Sequence, residues 1–181
     1  LKRELGFSVL ALRSSNKKAG RGVFLDGNAP CGTLVAFMPG QVWPKEYLTT
    51  LSDTIQKHFE ESKETYQLSL RGDDILIDSR SSPYTVLLNP WALGHVVNHG
   101  RPNTRLASLN ILERMDLKEN SKYIPNQYAR KPSILGGNAL HNDDVQMHSL
   151  GLLTTRPLSH EEILYDYRLE GSDIPDWYTP I

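Results

Sequence analysis

Short β-prone segments, each closed off by glycine, proline or a polar turn within a few residues, set the tightest limit on what this chain can fold into. Residues 7–12 are apolar enough for a partly buried strand, and residues 23–25 and 33–37 are short, β-prone and bounded by Gly and Pro. Residues 66–70 alternate apolar and polar. The turn Arg71-Gly72-Asp73-Asp74 and then Ile75-Leu76-Ile77 follow, which predicts a hairpin. Strand character returns at 106–112, 147–154 and 163–165. This spacing predicts a mostly β fold with a few short helices and argues against alternating βαβ units.

Three helices are expected. Pro44 suits a first turn, with Tyr47, Leu48, Leu51 and Ile55 forming an apolar face. Asn89-Pro90 pairs an N-cap side chain with Pro at the first helical position, which predicts a helix through Trp91, Leu93, His95 and Val97 to about Gly100. A weaker one covers 116–122. The polar stretch at about 113–144 holds Pro125, Pro132, Gly136 and Gly137 without a clear period and reads as a variable surface insertion.

At 181 residues the chain reads as a single domain, 1–181. Folding at that size buries roughly 70% of the unfolded surface, so neither disulfide nor structural metal is needed. The one cysteine, Cys31, cannot close an internal disulfide or build a thiolate zinc cage. It reads as a small, half-buried loop residue. A net charge of −1 predicts no basic face, so no nucleic-acid partner is expected. No apolar run is long enough to span a membrane. Leu1-Lys2-Arg3-Glu4 has no signal h-region, and the missing initiator Met reads as a piece of a longer chain.

Three segments carry chemistry. Ala19-Gly20-Arg21-Gly22-Val23-Phe24 lets backbone approach a ligand closely, although alone it is an ordinary turn, and it lacks the third glycine of a dinucleotide fingerprint. Asn98-His99-Gly100-Arg101-Pro102-Asn103 offers a side chain that donates and accepts at once, which suits a zwitterionic ligand or an adenine edge; alone it is a helix cap and a polar turn. His160-Glu161-Glu162-Ile163-Leu164-Tyr165-Asp166-Tyr167 sets two phenols around an aspartate, either on an edge strand or in a narrow slot that orients an amine.

In this order the three segments resemble the signature of SET-domain methyltransferases. Pro30-Cys31-Gly32-Thr33-Leu34-Val35 and Thr155-Arg156-Pro157-Leu158 fit the same pattern. Asn89-Pro90-Trp91-Ala92-Leu93-Gly94 and Tyr123-Ile124-Pro125-Asn126 further resemble a divergent subgroup, that of SET domain-containing protein nine. The resemblance covers nearly the whole chain and implies several small sheets with a C-terminal pseudoknot. It implies S-adenosylmethionine as cofactor, bound by Gly20, Arg21, Gly22, Asn98 and His99. Tyr167 takes the place of the family's active-site phenol. Tyr165 stands where members carry Phe or Tyr, which implies monomethylation of a protein or peptide lysine, a histone among the candidates. The implied place of action is nucleus or cytoplasm.

Departures accompany the likeness. Asn-His-Ser-Cys is here Asn98-His99-Gly100-Arg101, with the turn to Asn103 one residue short. Met38 stands where many relatives place a channel tyrosine, and it hydrogen-bonds an amine poorly. No Cys-rich segment flanks the domain. Trp177 and Tyr178 in the tail are expected to close the substrate channel with Met38. His141, Asp143, Asp144 and His148 lack a metal-ligand spacing, so no metal is expected. Asp73, Asp74 and Asp78 read as a solvated hairpin tip or an acidic wall for a Lys-rich peptide. The alternative function is a SET-fold interaction module with weak or no turnover.

Overall fold

The computed structural model describes residues 2–14, 19–44, 67–69, 75–79, 89–111, 126–128, 147–168 and 178. The body of the helix expected from Pro44, the helix at 116–122 and the turn at 71–74 lie outside them, but Pro44 itself does not open a helix: it ends a strand and pairs with Ile75. After a four-residue helix α1 (Lys2–Leu5), the described chain is built from strands in three sheets.

The first sheet carries the site. β1 (Phe7–Arg13) and β2 (Arg21–Ala29) form an antiparallel hairpin with Val9 opposite Leu25 and Arg13 opposite Arg21. The other edge of β2 is shared. Its start pairs with β12 (Glu162–Tyr165), and its end with β11 (Leu158–Ser159). β12 also pairs with β7 (Asn98–His99), in parallel. Side chains alternate across a strand. Val23, Leu25 and Ile163 therefore enter the core, while Gly22, Phe24 and Glu162 lie on the opposite face.

A second sheet has the order β3 (Leu34–Phe37), β10 (Met147–Thr154), β8 (Thr104–Ile111), all antiparallel. Val35, Ala36 and Leu152 from it meet Val9, Val23, Leu25 and Ile163 from the first, making one apolar core between the sheets. The third sheet joins β5 (Gln67–Ser69), β6 (Ile75–Asp78), β4 (Gly40–Pro44) and β9 (Asn126–Tyr128). The expected hairpin forms, with Leu68 opposite Ile77.

Three expectations change. The helix after Asn89 does not develop. Asn89 does cap, accepting the Trp91 amide at 2.9 Å, but the chain then makes tight turns and a single 3-10 turn, Gly94–Val96. Val97 is already extended at φ −71°, ψ 128°. Pairing Asn98 and His99 with β12 gives this backbone partners outside a helix, and adjacent β-branched valines favour the extended chain. The stretch at 113–144, which showed no clear period, does hold regular structure, since β9 lies inside it and pairs in parallel with β4. Cys31 is exposed rather than half-buried, because the Pro30 turn is held from within: Thr154 Oγ1 accepts the Thr33 amide at 2.9 Å and donates to the Pro30 carbonyl at 2.6 Å.

Candidate active site

The parallel pairing of β7 with β12 builds the site. It sets Asn98 beside Leu164 and His99 beside Tyr165. Asn103 locks the arrangement. Its Oδ1 accepts the Leu164 amide at 2.8 Å, its Nδ2 donates to the Glu162 carbonyl at 2.8 Å, and its own amide donates to the Leu164 carbonyl at 3.2 Å. The Thr104 hydroxyl adds a bond to the Leu164 carbonyl at 2.8 Å. Residues 98–104 are thus bonded to the β12 backbone at Glu162 and Leu164.

The turn leading into β12 is fixed by charge. Arg156 donates both guanidinium arms to Glu161, at 2.8 and 2.6 Å. This pair holds the Glu161 carboxyl below the usual carboxylate range, although the turn is largely solvated.

On the core face stand the phenols. Tyr165 is buried in the core cluster, and its ring lies 4.7 Å from that of Tyr167 at 44°. Burial pushes the Tyr165 phenol far above its ordinary range, and neighbouring Tyr167 adds to the rise. Tyr167 is half-buried and donates its hydroxyl to the Val97 carbonyl at 2.7 Å. With the proton committed there, the phenol oxygen can only accept from a further group.

His99 fills the space behind. Its side chain is almost fully buried, and its ring sits 5.4 Å from that of Tyr167 and 4.4 Å from that of Tyr178. Nδ1 accepts the Tyr167 amide at 3.3 Å, which assigns the proton to Nε2. Asp166 Oδ1 lies 3.7 Å from the same Nδ1, too far for a hydrogen bond. Asp166 instead accepts the Tyr178 hydroxyl at 3.3 Å and the Arg168 amide at 3.0 Å. The second bond is an Asx turn, in which Arg168 takes φ +50°.

On the opposite face Gly20 has φ +69°, a conformation that suits glycine, and a Cβ there would meet nothing within 4 Å. Arg21 beside it is exposed. Gly22 differs: a Cβ would press into the Glu162 carboxylate and fall 2.8 Å from Asn98 Nδ2. The second glycine therefore admits two protein side chains. Asn98 is likewise turned inward by its nitrogen, which donates to the Arg21 carbonyl at 2.9 Å and to Glu162 Oε1 at 3.0 Å.

The structure thus brings Arg21, Gly22, Asn98, His99 and Tyr165 onto neighbouring strands, with Tyr167 two residues beyond β12 and Gly20 just before β2. Met38 is buried; its amide donates to the Leu150 carbonyl, and a Cβ on Gly94 would come within 2.5 Å of its sulfur. Trp177 lies outside the described residues, whereas the Tyr178 ring packs on His99. Reading the sequence missed Ser14, Val97, Asn103 and the role of Glu162. Val97 acts through its carbonyl, which leaves no mark in sequence, while Asn103 carried a signal in its place five residues after Asn98.

An open, left-handed Gly20 beside an exposed guanidinium suits a ligand with an anionic end, and the carboxylate of S-adenosylmethionine is compatible with that chemistry.

No protein-family model matches the chain, and no curated protein matches it. Among solved structures it is similar to CpSET8 from Cryptosporidium, with a TM-score of 0.53 and 17% identity over 93% of this chain and 61% of that one. The chain therefore spans about three fifths of that structure's length. At this identity the likeness concerns the fold: the chain is mostly β, in several small sheets, with the SET-type architecture.

Proposed function

We propose that this chain is an S-adenosylmethionine-dependent protein-lysine N-methyltransferase that stops at the monomethyl product. The observation that carries the reading is the β7–β12 pairing, which sets His99 beside Tyr165 and Asn98 beside Leu164, with the His99 ring against Tyr167 and the Tyr167 hydroxyl tied to the Val97 carbonyl. The backbone of Gly20, Arg21 and Gly22, with Asn98 and His99, would hold the cofactor. When bound, it supplies a sulfonium methyl for direct displacement.

The chain's own work is alignment. Nucleophile, carbon and sulfur must be nearly collinear, and such positioning can contribute about 7–11 kcal/mol. The Tyr167 oxygen, its proton already given to Val97, accepts an N–H of the lysine amine and so turns the nitrogen lone pair toward the methyl. A backbone carbonyl such as that of Val97 would offer weak C–H···O contact to a bound sulfonium methyl. Burial around Tyr165 favours the neutral amine, because desolvation penalises the ammonium. The buried Tyr165 hydroxyl takes up room that a second methyl would need, which supports the monomethyl product. The substrate class is a protein or peptide lysine, a histone tail included, in the nucleus or cytoplasm.

The second reading is a SET-fold interaction module without turnover. The burial of Met38 against Gly94 favours it, since a thioether there cannot orient an amine.

Calorimetry of S-adenosylmethionine with the wild-type chain and Asn98→Ala separates the two. Micromolar binding, lost in the variant, supports the enzyme and leads to a peptide screen with Tyr167→Phe as control. No binding by the folded chain leaves the interaction module.

A further inference from the structure

Glu162 lies at the centre of a small polar cluster on the face of the sheet away from the phenols. Glu162 and Phe24 are opposite each other, Ile163 faces Val23, and Tyr165 follows on the core side. Alternation therefore separates the Glu162 carboxylate from Tyr165 by the thickness of the sheet, and it cannot serve as a base for an amine held there. What it does touch is defined. Ser14 at the end of β1 donates its hydroxyl to Oε1 at 2.8 Å, and Asn98 on β7 donates its amide to the same oxygen at 3.0 Å. Asn98 passes the constraint on, donating to the Arg21 carbonyl at 2.9 Å. Gly22 lies directly under these groups, and no side chain fits beneath them. Three separate pieces of chain therefore meet one carboxylate oxygen, Ser14 and Asn98 by hydrogen bonds and Gly22 by close packing, and Asn98 links it to the backbone of the Gly20-Arg21-Gly22 turn.

We infer that Glu162 is the positioning residue of the cofactor turn, acting through Asn98. Its Oε1 orients the Asn98 amide, and the amide fixes the Arg21 carbonyl, so that the turn is already set when a ligand arrives. The inference rests on reading 20–22 as a cofactor-binding turn, and it makes a requirement of shape rather than of charge. Both donors meet one oxygen, so any side chain that keeps an acceptor at that point serves.

Three variants test it: Glu162→Gln keeps the oxygen, Glu162→Ala removes it, and Glu162→Asp withdraws it by about one bond length, roughly 1.5 Å. The readouts are the dissociation constant for S-adenosylmethionine, kcat at saturating cofactor, and amide hydrogen exchange over 19–23. Glu162→Ala and Glu162→Asp are expected to weaken binding at least tenfold and to speed exchange over 19–23. Glu162→Gln is expected within threefold of wild type in both. Among variants that turn over, kcat at saturation should change less than threefold, since the phenols are on the other face. Should Glu162→Ala fail to fold, Glu162→Asp carries the same expectation. Unchanged binding and exchange in the Ala or Asp variant would overturn the inference, as would a Gln variant as impaired as Ala. If the wild-type chain binds no cofactor, the proposed function fails by itself, and exchange over 19–23 still decides the role of Glu162.

Discussion

The hydroxyl of Tyr167 donates to the backbone carbonyl of Val97 at 2.7 Å, although the two residues are 70 positions apart in the chain. Through this bond the segment before β7 and the end of β12 share one fixed point. It forms because Val97 leaves its 3-10 turn extended.

Tyr167→Phe removes that bond without changing ring packing. Methyl transfer to a peptide lysine should fall about 100-fold or more, the scale expected when a reacting group loses its alignment. Cofactor affinity should change less than threefold. Single-turnover kinetics beside calorimetry checks both; equal losses in rate and binding would assign Tyr167 to the cofactor site instead.

Tyr165→Phe removes a buried hydroxyl beside the same ring. The expected product shifts from monomethyl toward dimethyl lysine, read by mass spectrometry of the peptide. The wild-type phenol is also held neutral, because its folded-state pKa is raised. The sign follows: this stabilisation is present below the ordinary tyrosine value near 10 and is lost as the pH climbs above it. In alkaline absorbance titration of folded protein, wild type and Tyr165→Phe should gain the same phenolate signal up to about pH 11.

Asn103→Ala strands the Leu164 amide and weakens the satisfaction of the Glu162 carbonyl in a buried place. Each orphaned group costs about 1–3 kcal/mol. The denaturation midpoint should fall by roughly 5 °C or more. Asn103→Asp should rescue little, since a carboxylate has no hydrogen for the Glu162 carbonyl. Thermal denaturation of the three proteins decides this.

Gly22→Ala places a methyl against Glu162 and Asn98. Overpacking of this kind costs about 1–3 kcal/mol. Gly20→Ala meets no neighbour and pays only for its left-handed backbone, on the order of 1 kcal/mol. Urea denaturation should therefore rank Gly22→Ala below Gly20→Ala.

Arg156→Gln tests the turn before β12. Glu161 has a depressed folded-state pKa, first through its bond from Arg156. The contribution is present above the ordinary carboxylate value and is lost as the pH falls through the folded one. At neutral pH the variant should melt no more than about 3 °C lower, because the pair is solvated. The two melting curves should converge as the pH is lowered through the carboxylate range.

Much of this protein was legible from its residues alone. Strand content followed from β-prone segments between turns, because side-chain alternation and glycine or proline punctuation act locally; β1, β2, β3, β10 and β12 lie where those patterns put them. The Asn89 cap was legible too, since a side chain and its target amide are two residues apart. The sequence also set the chemical inventory: two phenols, one amide, one imidazole, and no thiolate cage. Tertiary structure alone decided how that inventory is spent. Val97 turned extended because β12 offered a parallel partner, so the helix expected there never grew. Asn98 faces Glu162 and Arg21, and Gly22 is small to admit them, because strands distant in the chain are packed side by side. Such contacts depend on register between segments more than 60 residues apart. Pairing energy between β2, β7 and β12 fixes that register, and no pattern within any one of the three strands records it.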